Sequence, residues 1–397
     1  MKKRILLISV GLLLALLSVS WVGTGFAQSE IRIGVVGDYT GSQAPIALAH
    51  KRGLVLRLDQ IGNKIGGHPV KVFYEDCKEE VAPTVEKVRK LIEGDRVHIL
   101  LGPLYGSGIA AVADYMKGKG IPWLPMAASG EQFTSANPAH FAHNWGWYQL
   151  GGTLSPFAYN KMGARTAVVI VNDYAFGHLQ GGIYKETFEK LGGKVLKYIA
   201  LPLPEPDYRP YLMGMPAADV SLVFTTGFLS VRFVKQYVEL GLQKKTPVLG
   251  AVSTLDPLYR AEMGKESVGM RYITHWDPDL DIPENVAFVR DLRAKYPEIK
   301  SMGYYDMSGF LSIRIMEEAL KANIGDFENP SRFVKAISGV DFPSPLGRFR
   351  FDPQIRCPIL TFYVFDIVEK DGKFPSKLVD KMPDFRPIMP PPPTPKK

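Results

Sequence analysis

The sequence predicts an α/β protein built from two doubly wound parallel-sheet lobes. Three observations predict it. Strand-like apolar runs alternate with amphipathic runs from residue 31 to residue 124, with short connections between them. The alternation breaks near Asn144 and restarts at Ala167, which implies a second lobe built like the first. Two of the early apolar runs, near 101 and 124, each end in small residues followed by a serine, Ser107 and Ser129. In a parallel sheet such ends lie side by side at one edge, where ligands bind.

In the first lobe, the run 31–36 alternates and then becomes wholly apolar, as a strand entering a core does. Gly37 to Ser42 follows as a loop. A helix is expected over 45–61, with Leu54, Leu58 and Ile61 on one face, and Gly66-Gly67 breaks the pattern after it. A strand over 70–75 leads to a helix over 81–93. Its Val85, Val88 and Ile92 share a face, and Pro83 suits its first turn. Strands over 97–101 and 121–124 flank a helix opened by Gly106-Ser107.

In the second lobe, Trp145-Gly146-Trp147-Tyr148 leads into a helix ending near Met162. Strands are expected over 167–171, 194–201, 222–225, 247–249 and 270–274. Helices carry Tyr184, Phe188 and Leu191, then Val231, Val234 and Val238, as their buried faces. Pro202, Pro204, Pro206 and Pro210 mark a loop with a short helix near Tyr211. Asp277, Asp279 and Asp281 read as a solvated loop. Helices follow over 284–295, 304–322 and 330–337. A loop is expected over 343–347, then paired strands over 347–351 and 360–367. From Pro383 the chain is proline-rich, an extended tail.

The bulk properties bound the function. The 397 residues suffice for two cores, and 46% hydrophobic with 22% charged is ordinary for a folded chain. Lys2, Lys3 and Arg4 precede an apolar run over 5–22 and then Gly25-Phe26-Ala27, the pattern of a secretory signal peptide cleaved after Ala27. No later run is long and apolar enough to span a bilayer. The formal charge of +8 falls when those three basic residues leave. The remaining ones are scattered without interleaved aromatics, which argues against nucleic acid. Export permits a disulfide between Cys77 and Cys357; the alternative is two separate thiols.

Ser107 starts a helix, so its hydroxyl and the neighbouring N–H groups can hold a carboxylate, or the serine can simply cap the helix. A nucleophile elbow is missing, because Tyr105 stands where Gly-x-Ser-x-Gly needs glycine. His140 and His143 lack a metal-ligand pattern and read as loop histidines. Gly102 to Gly108 is neither a dinucleotide fingerprint nor a Walker loop, and the Asp277 cluster lacks calcium-loop spacing. No catalytic residue, metal or cofactor is therefore expected. An exported serine hydrolase using Ser107 or Ser129 is the alternative from another class.

In the order and spacing of its motifs the chain resembles the leucine/isoleucine/valine-binding branch of the type I periplasmic binding proteins, the substrate-binding components of ABC importers. The signal peptide carries the resemblance, together with Ile31 to Gly41, Tyr74-Glu75-Asp76-Cys77, Leu101-Gly102-Pro103 with Ser107, Pro125 to Ser129, and Asn172 to Gly177. It spans about residues 30–368.

The resemblance implies two lobes joined by a three-crossover hinge, with crossovers near 144–147, 275–277 and 342–346. The expected parts are a signal peptide over 1–27, a first lobe of 28–145 plus 277–345, a second of 146–276 plus 346–382, and a tail over 383–397. It implies a carboxylate grip at Ser107, Ala127 (through its backbone) and Ser129. It also implies aromatic walls at Tyr174, Phe176 and Phe228, with Tyr39 and Ser42 as further candidates. Trp145 and Trp147 border the cleft or pack the hinge.

Amino-acid binders of that family supply a second-lobe acid for the ligand's ammonium group. Here the segment reads Gly250-Ala251-Val252-Ser253-Thr254-Leu255-Asp256, with no acid at the expected place. Asp256 comes several residues late, and Asp306 could approach from elsewhere. An unpaired buried ammonium is unfavourable, so an aromatic or apolar carboxylate or amide is as well supported as a branched-chain or hydrophobic amino acid. The implied protein is a periplasmic monomer that hands a small-molecule solute to the membrane permease of an ABC transporter. A sensory binding protein of the same fold would look alike.

Overall fold

The computed structural model describes residues 29–389 apart from Ser42, Glu79 and Pro204. The signal peptide, the Ser42 candidate and the tail from Pro390 lie outside the described residues. The first sheet contains β1 (Ile31–Gly37), β2 (Lys64–Ile65), β3 (His68–Asp76), β4 (Ile99–Leu101) and β5 (Trp123–Leu124), in the order β2-β3-β1-β4-β5. All pairings are parallel except the short β2 on β3. A parallel bridge between Trp123 and His140 extends this sheet by one position. Helices α1 (Ala44–Gln60), α2 (Val81–Arg89), α3 (Gly106–Met116) and α4 (Glu131–Ala136) connect and flank the strands. Ile31, Ile33, Val35, Ile99 and Leu101 are fully buried, as strands covered on both faces require.

The chain then passes to a second sheet. It begins with α5 (Trp147–Asn160), β6 (Thr166–Asn172), α6 (Ala175–Lys190) and β7 (Lys194–Leu201). It continues with α7 (Arg209–Leu212), β8 (Val220–Phe224), α8 (Gly227–Glu239), β9 (Val248–Gly250), α9 (Arg260–Met263) and β10 (Arg271–Thr274). Next α10 (Pro283–Lys295), α11 (Tyr304–Leu320) and α12 (Pro330–Ser338) return to the first lobe, followed by a hairpin of β11 (Asp341–Ser344) and β12 (Gly347–Arg350). Finally β13 (Leu360–Ile367) and β14 (Ser376–Phe385) join the second sheet antiparallel, giving the order β14-β13-β10-β9-β8-β6-β7.

Two sequence expectations differ from this arrangement. The segments 347–351 and 360–367 are not partners: β12 pairs with β11, and β13 lies between β10 and β14. β14 also runs to Phe385, into the segment expected as tail. Its mixture of lysine, aspartate and apolar residues, with Pro383 inside, reads as loop, yet proline is tolerated on an edge strand.

The first lobe is held by an unusually close helix crossing. A Cβ on Gly53 of α1 would stand 1.7 Å from the Asp306 carbonyl oxygen, and one on Gly309 of α11 would stand 1.8 Å from that of His50. Beside the crossing, Arg52 Nε and Nη2 donate to the two Asp306 carboxylate oxygens at 2.9 and 3.2 Å. Cys77 and Cys357 are unpaired buried thiols; Cys77 donates to Asp38 at 3.0 Å.

Candidate functional site

The candidate residues follow the carboxyl ends of parallel strands in the two sheets. After β4, the chain turns through Gly102-Pro103 into α3, whose first turn holds Gly106 and Ser107. Among the described residues no side chain caps this helix, so its first N–H groups keep their hydrogen-bonding capacity. Such an end attracts an anion, and Ser107 is exposed beside it.

Trp147 opens α5 and stands next to this helix end: a Cβ on Gly106 would lie 3.7 Å from its ring. The indole packs against Phe176 with centroids 5.2 Å apart, and Phe176 against Tyr174 at 6.5 Å and Phe224 at 5.3 Å. The structure thus brings Ser107, Trp147, Phe176 and Tyr174 into one neighbourhood, with the helix end in one lobe and the aromatics in the other. Burial pushes the Tyr174 phenol well up, so it is neutral and keeps its donor hydrogen.

Phe228, at the start of α8, is 55% exposed and meets Tyr259 edge-on at 5.1 Å. It is an exposed aromatic on the rim of the second lobe. Tyr39 lies on the first-lobe side, half-buried, edge-on to Tyr74 at 5.9 Å. A Cβ on Gly37 would meet both Tyr39 and the Met126 side chain, which puts Tyr39 near Met126; Ala127, next in the chain, is half-buried.

Ser129 differs from expectation. It is fully buried, its hydroxyl bonds His140 Nε2 at 3.0 Å, its N–H donates to the Trp145 carbonyl, and its carbonyl accepts from Trp147. Those bonds fix the first crossover, so the serine acts on Trp147 rather than presenting a free hydroxyl. Glu131, two residues on, completes the joint. Its carboxylate accepts from the Tyr148 and Gln149 N–H groups at 3.0 and 2.8 Å, so an acid of the first lobe caps the first helix of the second. Burial raises its carboxyl to about 7 despite these backbone donors. A Cβ on Gly146 would stand 2.2 Å from Glu131 Oε1, which is why glycine occupies that turn.

Burial bears on three further readings. His140 and His143 lie in the loop between α4 and α5, as read, and both are fully buried there, so that desolvation lowers each to about 3. His140 stacks on Trp123 at 3.9 Å, and His143 Nε2 bonds the Ser308 hydroxyl at 2.9 Å. Asp277 is fully buried too, bonded to the Tyr272 hydroxyl and, at 2.9 Å, to the Ser376 hydroxyl. Asp306 is buried as well, with Arg52 and the Gly303 N–H bonded to its carboxylate.

In the second-lobe segment expected to hold an acid, Ala251, Val252 and Leu255 are buried. Asp256 is also buried; its Oδ1 accepts from the Leu258 N–H at 2.9 Å, and desolvation pushes its carboxyl up to about 7. Residues that sequence reasoning passed over complete the junction. Tyr304 packs on Tyr305 in a tilted pair with centroids 3.9 Å apart and meets Trp145 and His275 at 4.9 and 5.4 Å. The run Gly303-Tyr304-Tyr305 at a helix start, and His275-Trp276 directly after a strand, were the available signals. Among the described residues no group of histidine, cysteine and acidic side chains could hold a metal ion, and no helix is long and apolar enough to cross a membrane.

Two parallel-sheet lobes joined by three chain passages, with an anion-attracting helix end facing an aromatic group, define a two-lobed solute-binding protein. A model of the periplasmic binding protein family matches residues 30–373, and the chain belongs to that family, in its type I class. It is similar to an ABC transporter substrate-binding protein from Sphaerobacter thermophilus, 31% identical with a TM-score of 0.85, over 90% of this chain and 99% of that one. It is similar to a solute-binding protein of an ABC transporter from R. palustris in complex with benzoate, 25% identical with a TM-score of 0.80, over 90% and 99%. Among curated proteins it is similar to Leu/Ile/Val-binding protein homolog 6 of Brucella melitensis, 23% identical over 86% of this chain and 88% of that protein. The chain is a substrate-binding component of the ABC-transporter type, and not an enzyme, which sets the hydrolase alternative aside.

Proposed function

We propose that this chain captures a small carboxylate with an aromatic or apolar body in the periplasm and delivers it to the permease of an ABC importer. The observation that carries this reading is the uncapped start of α3, with Ser107, set against Trp147, Phe176 and Tyr174 of the other lobe. The helix end suits the carboxylate, and the rings suit the body. Ala127, Tyr39 and Phe228 extend the two walls, and Ser129 steadies Trp147. The segment Ala251 to Leu255 after Gly250, where an amino-acid binder would place its acid, holds none, which favours a ligand without an ammonium group. The benzoate complex of the R. palustris relative supports the same preference, while the name of the Brucella relative keeps leucine as the comparison ligand.

The test is native mass spectrometry of ligand carried through purification, followed by thermal shift with benzoate, 4-hydroxybenzoate and leucine. A ligand at a hundred times its Kd should stabilise the chain by about 2.7 kcal/mol. The aromatic acids are expected to raise the melting temperature and Trp147→Ala to abolish the rise. A rise with leucine and none with either aromatic acid would reverse the ligand assignment.

A further inference from the structure

We propose that Asp256 and Leu258 of the second lobe, meeting Gly303 of the first, form the stop that sets how far the two lobes close. Gly303 has φ −122° and ψ 178°, extended backbone that any residue adopts, so its conformation does not call for glycine. Its N–H donates to Asp306 at 3.0 Å, which any residue but proline could do. What calls for glycine is space. A Cβ there would stand 2.7 Å from Asp256 Oδ1 and 2.8 Å from the Leu258 Cβ, and both atoms belong to the loop after β9 in the other lobe.

Neither side of this contact yields easily. Gly303 leads into α11, which is bolted to α1 through the Gly53 and Gly309 crossing and the Arg52–Asp306 pair. The opposing loop is tied to β8: the Thr254 hydroxyl donates to the Val223 carbonyl at 3.0 Å and accepts from the Thr225 N–H at 3.1 Å. Asp256 cannot swing freely while it holds the Leu258 N–H, and a Cβ moves only with its backbone. Two rigid bodies joined by three passages rotate until such a contact is made, so the residue at the contact sets the closed angle. The purpose of this stop rests on the solute-capture reading; its geometry does not.

Gly303→Ala tests it in the full chain. Small-angle scattering without ligand is expected to show a larger radius of gyration than wild type, with circular dichroism and melting close to wild type. Titration with 4-hydroxybenzoate is expected to show binding weaker by roughly tenfold, the scale of one overpacked methyl. The double variant Gly303→Ala/Leu258→Gly removes the rigid atom on the far side and should restore most of the compactness. An unchanged radius in Gly303→Ala overturns the proposal. If the single variant does not fold, the double variant decides: recovered folding supports the contact as the source of the clash, and failure to recover overturns it. The scattering arm uses no ligand, so a chain that ignores 4-hydroxybenzoate yet opens in Gly303→Ala counts against the ligand assignment and not against the stop.

Discussion

Gly309→Ala is expected to destabilise the protein by about 3 kcal/mol or more, the upper end for an inserted methyl. The added Cβ would meet the His50 carbonyl oxygen at 1.8 Å, far inside any real contact, and the obstacle is backbone. A flexible side chain could rotate away; a helix carbonyl cannot. Relief requires α1 and α11 to separate, and separation would pull Arg52 from Asp306 and loosen the base on which Tyr304 and Gly303 stand. Gly53→Ala should behave alike, because its Cβ would meet the Asp306 carbonyl oxygen at 1.7 Å. Gly182→Ala supplies the contrast. It lies within α6, nothing stands within 4 Å of its added Cβ, and it should stabilise by about 0.5 to 1 kcal/mol through helix propensity. Urea unfolding of the three variants measures the difference. A Gly309→Ala protein as stable as wild type would mean that the crossing has slack the geometry denies.

Much of the fold was legible because its signals are local. Periodicity separates α1 from β3, and the restart of alternation at Ala167 announces a second sheet regardless of how the lobes meet. Strands with an unfavourable composition, such as β11 and β14, were not legible. Asp341–Ser344 contains a proline, and Ser376–Phe385 mixes charge with apolar residues, so each looks like loop until a partner strand exists. Within the candidate site, Ser107 could be proposed because strand-end logic needs only the order of elements, while Tyr174 and Phe176 came from the family resemblance, through their place before Gly177. The Ser129 hydroxyl, the Glu131 cap, the buried His140 and His143, and the engagement of Asp306 by Arg52 depend on contacts between segments far apart in the chain. Arg52 and Asp306 are separated by 254 residues, and nothing in either neighbourhood names the other.

The pairing of Arg52 with Asp306 makes the last expectation pH-dependent. Asp306 is fully buried and the Arg52 side chain is 21% exposed. Desolvation raises the Asp306 carboxyl to about 6, even though the guanidinium and the Gly303 N–H pull it down. A carboxyl raised above its ordinary value contributes stability at low pH, and that contribution is lost as pH rises through about 6. Above that point the folded state holds a buried carboxylate and relies on Arg52 to compensate it. Arg52→Met keeps much of the packing and removes the charge. At pH 8 the variant must leave an anion unpaired or hold a proton against the solvent, a loss of about 3 to 5 kcal/mol. At pH 5 Asp306 is mostly protonated in both proteins, so only hydrogen bonds are lost, about 1 to 2 kcal/mol. Urea unfolding at pH 5 and pH 8 is expected to show the larger loss at pH 8, with most of it recovered in Arg52→Met/Asp306→Asn. Equal losses at the two pH values would show that Arg52 acts through packing, with its charge irrelevant to the α1–α11 joint.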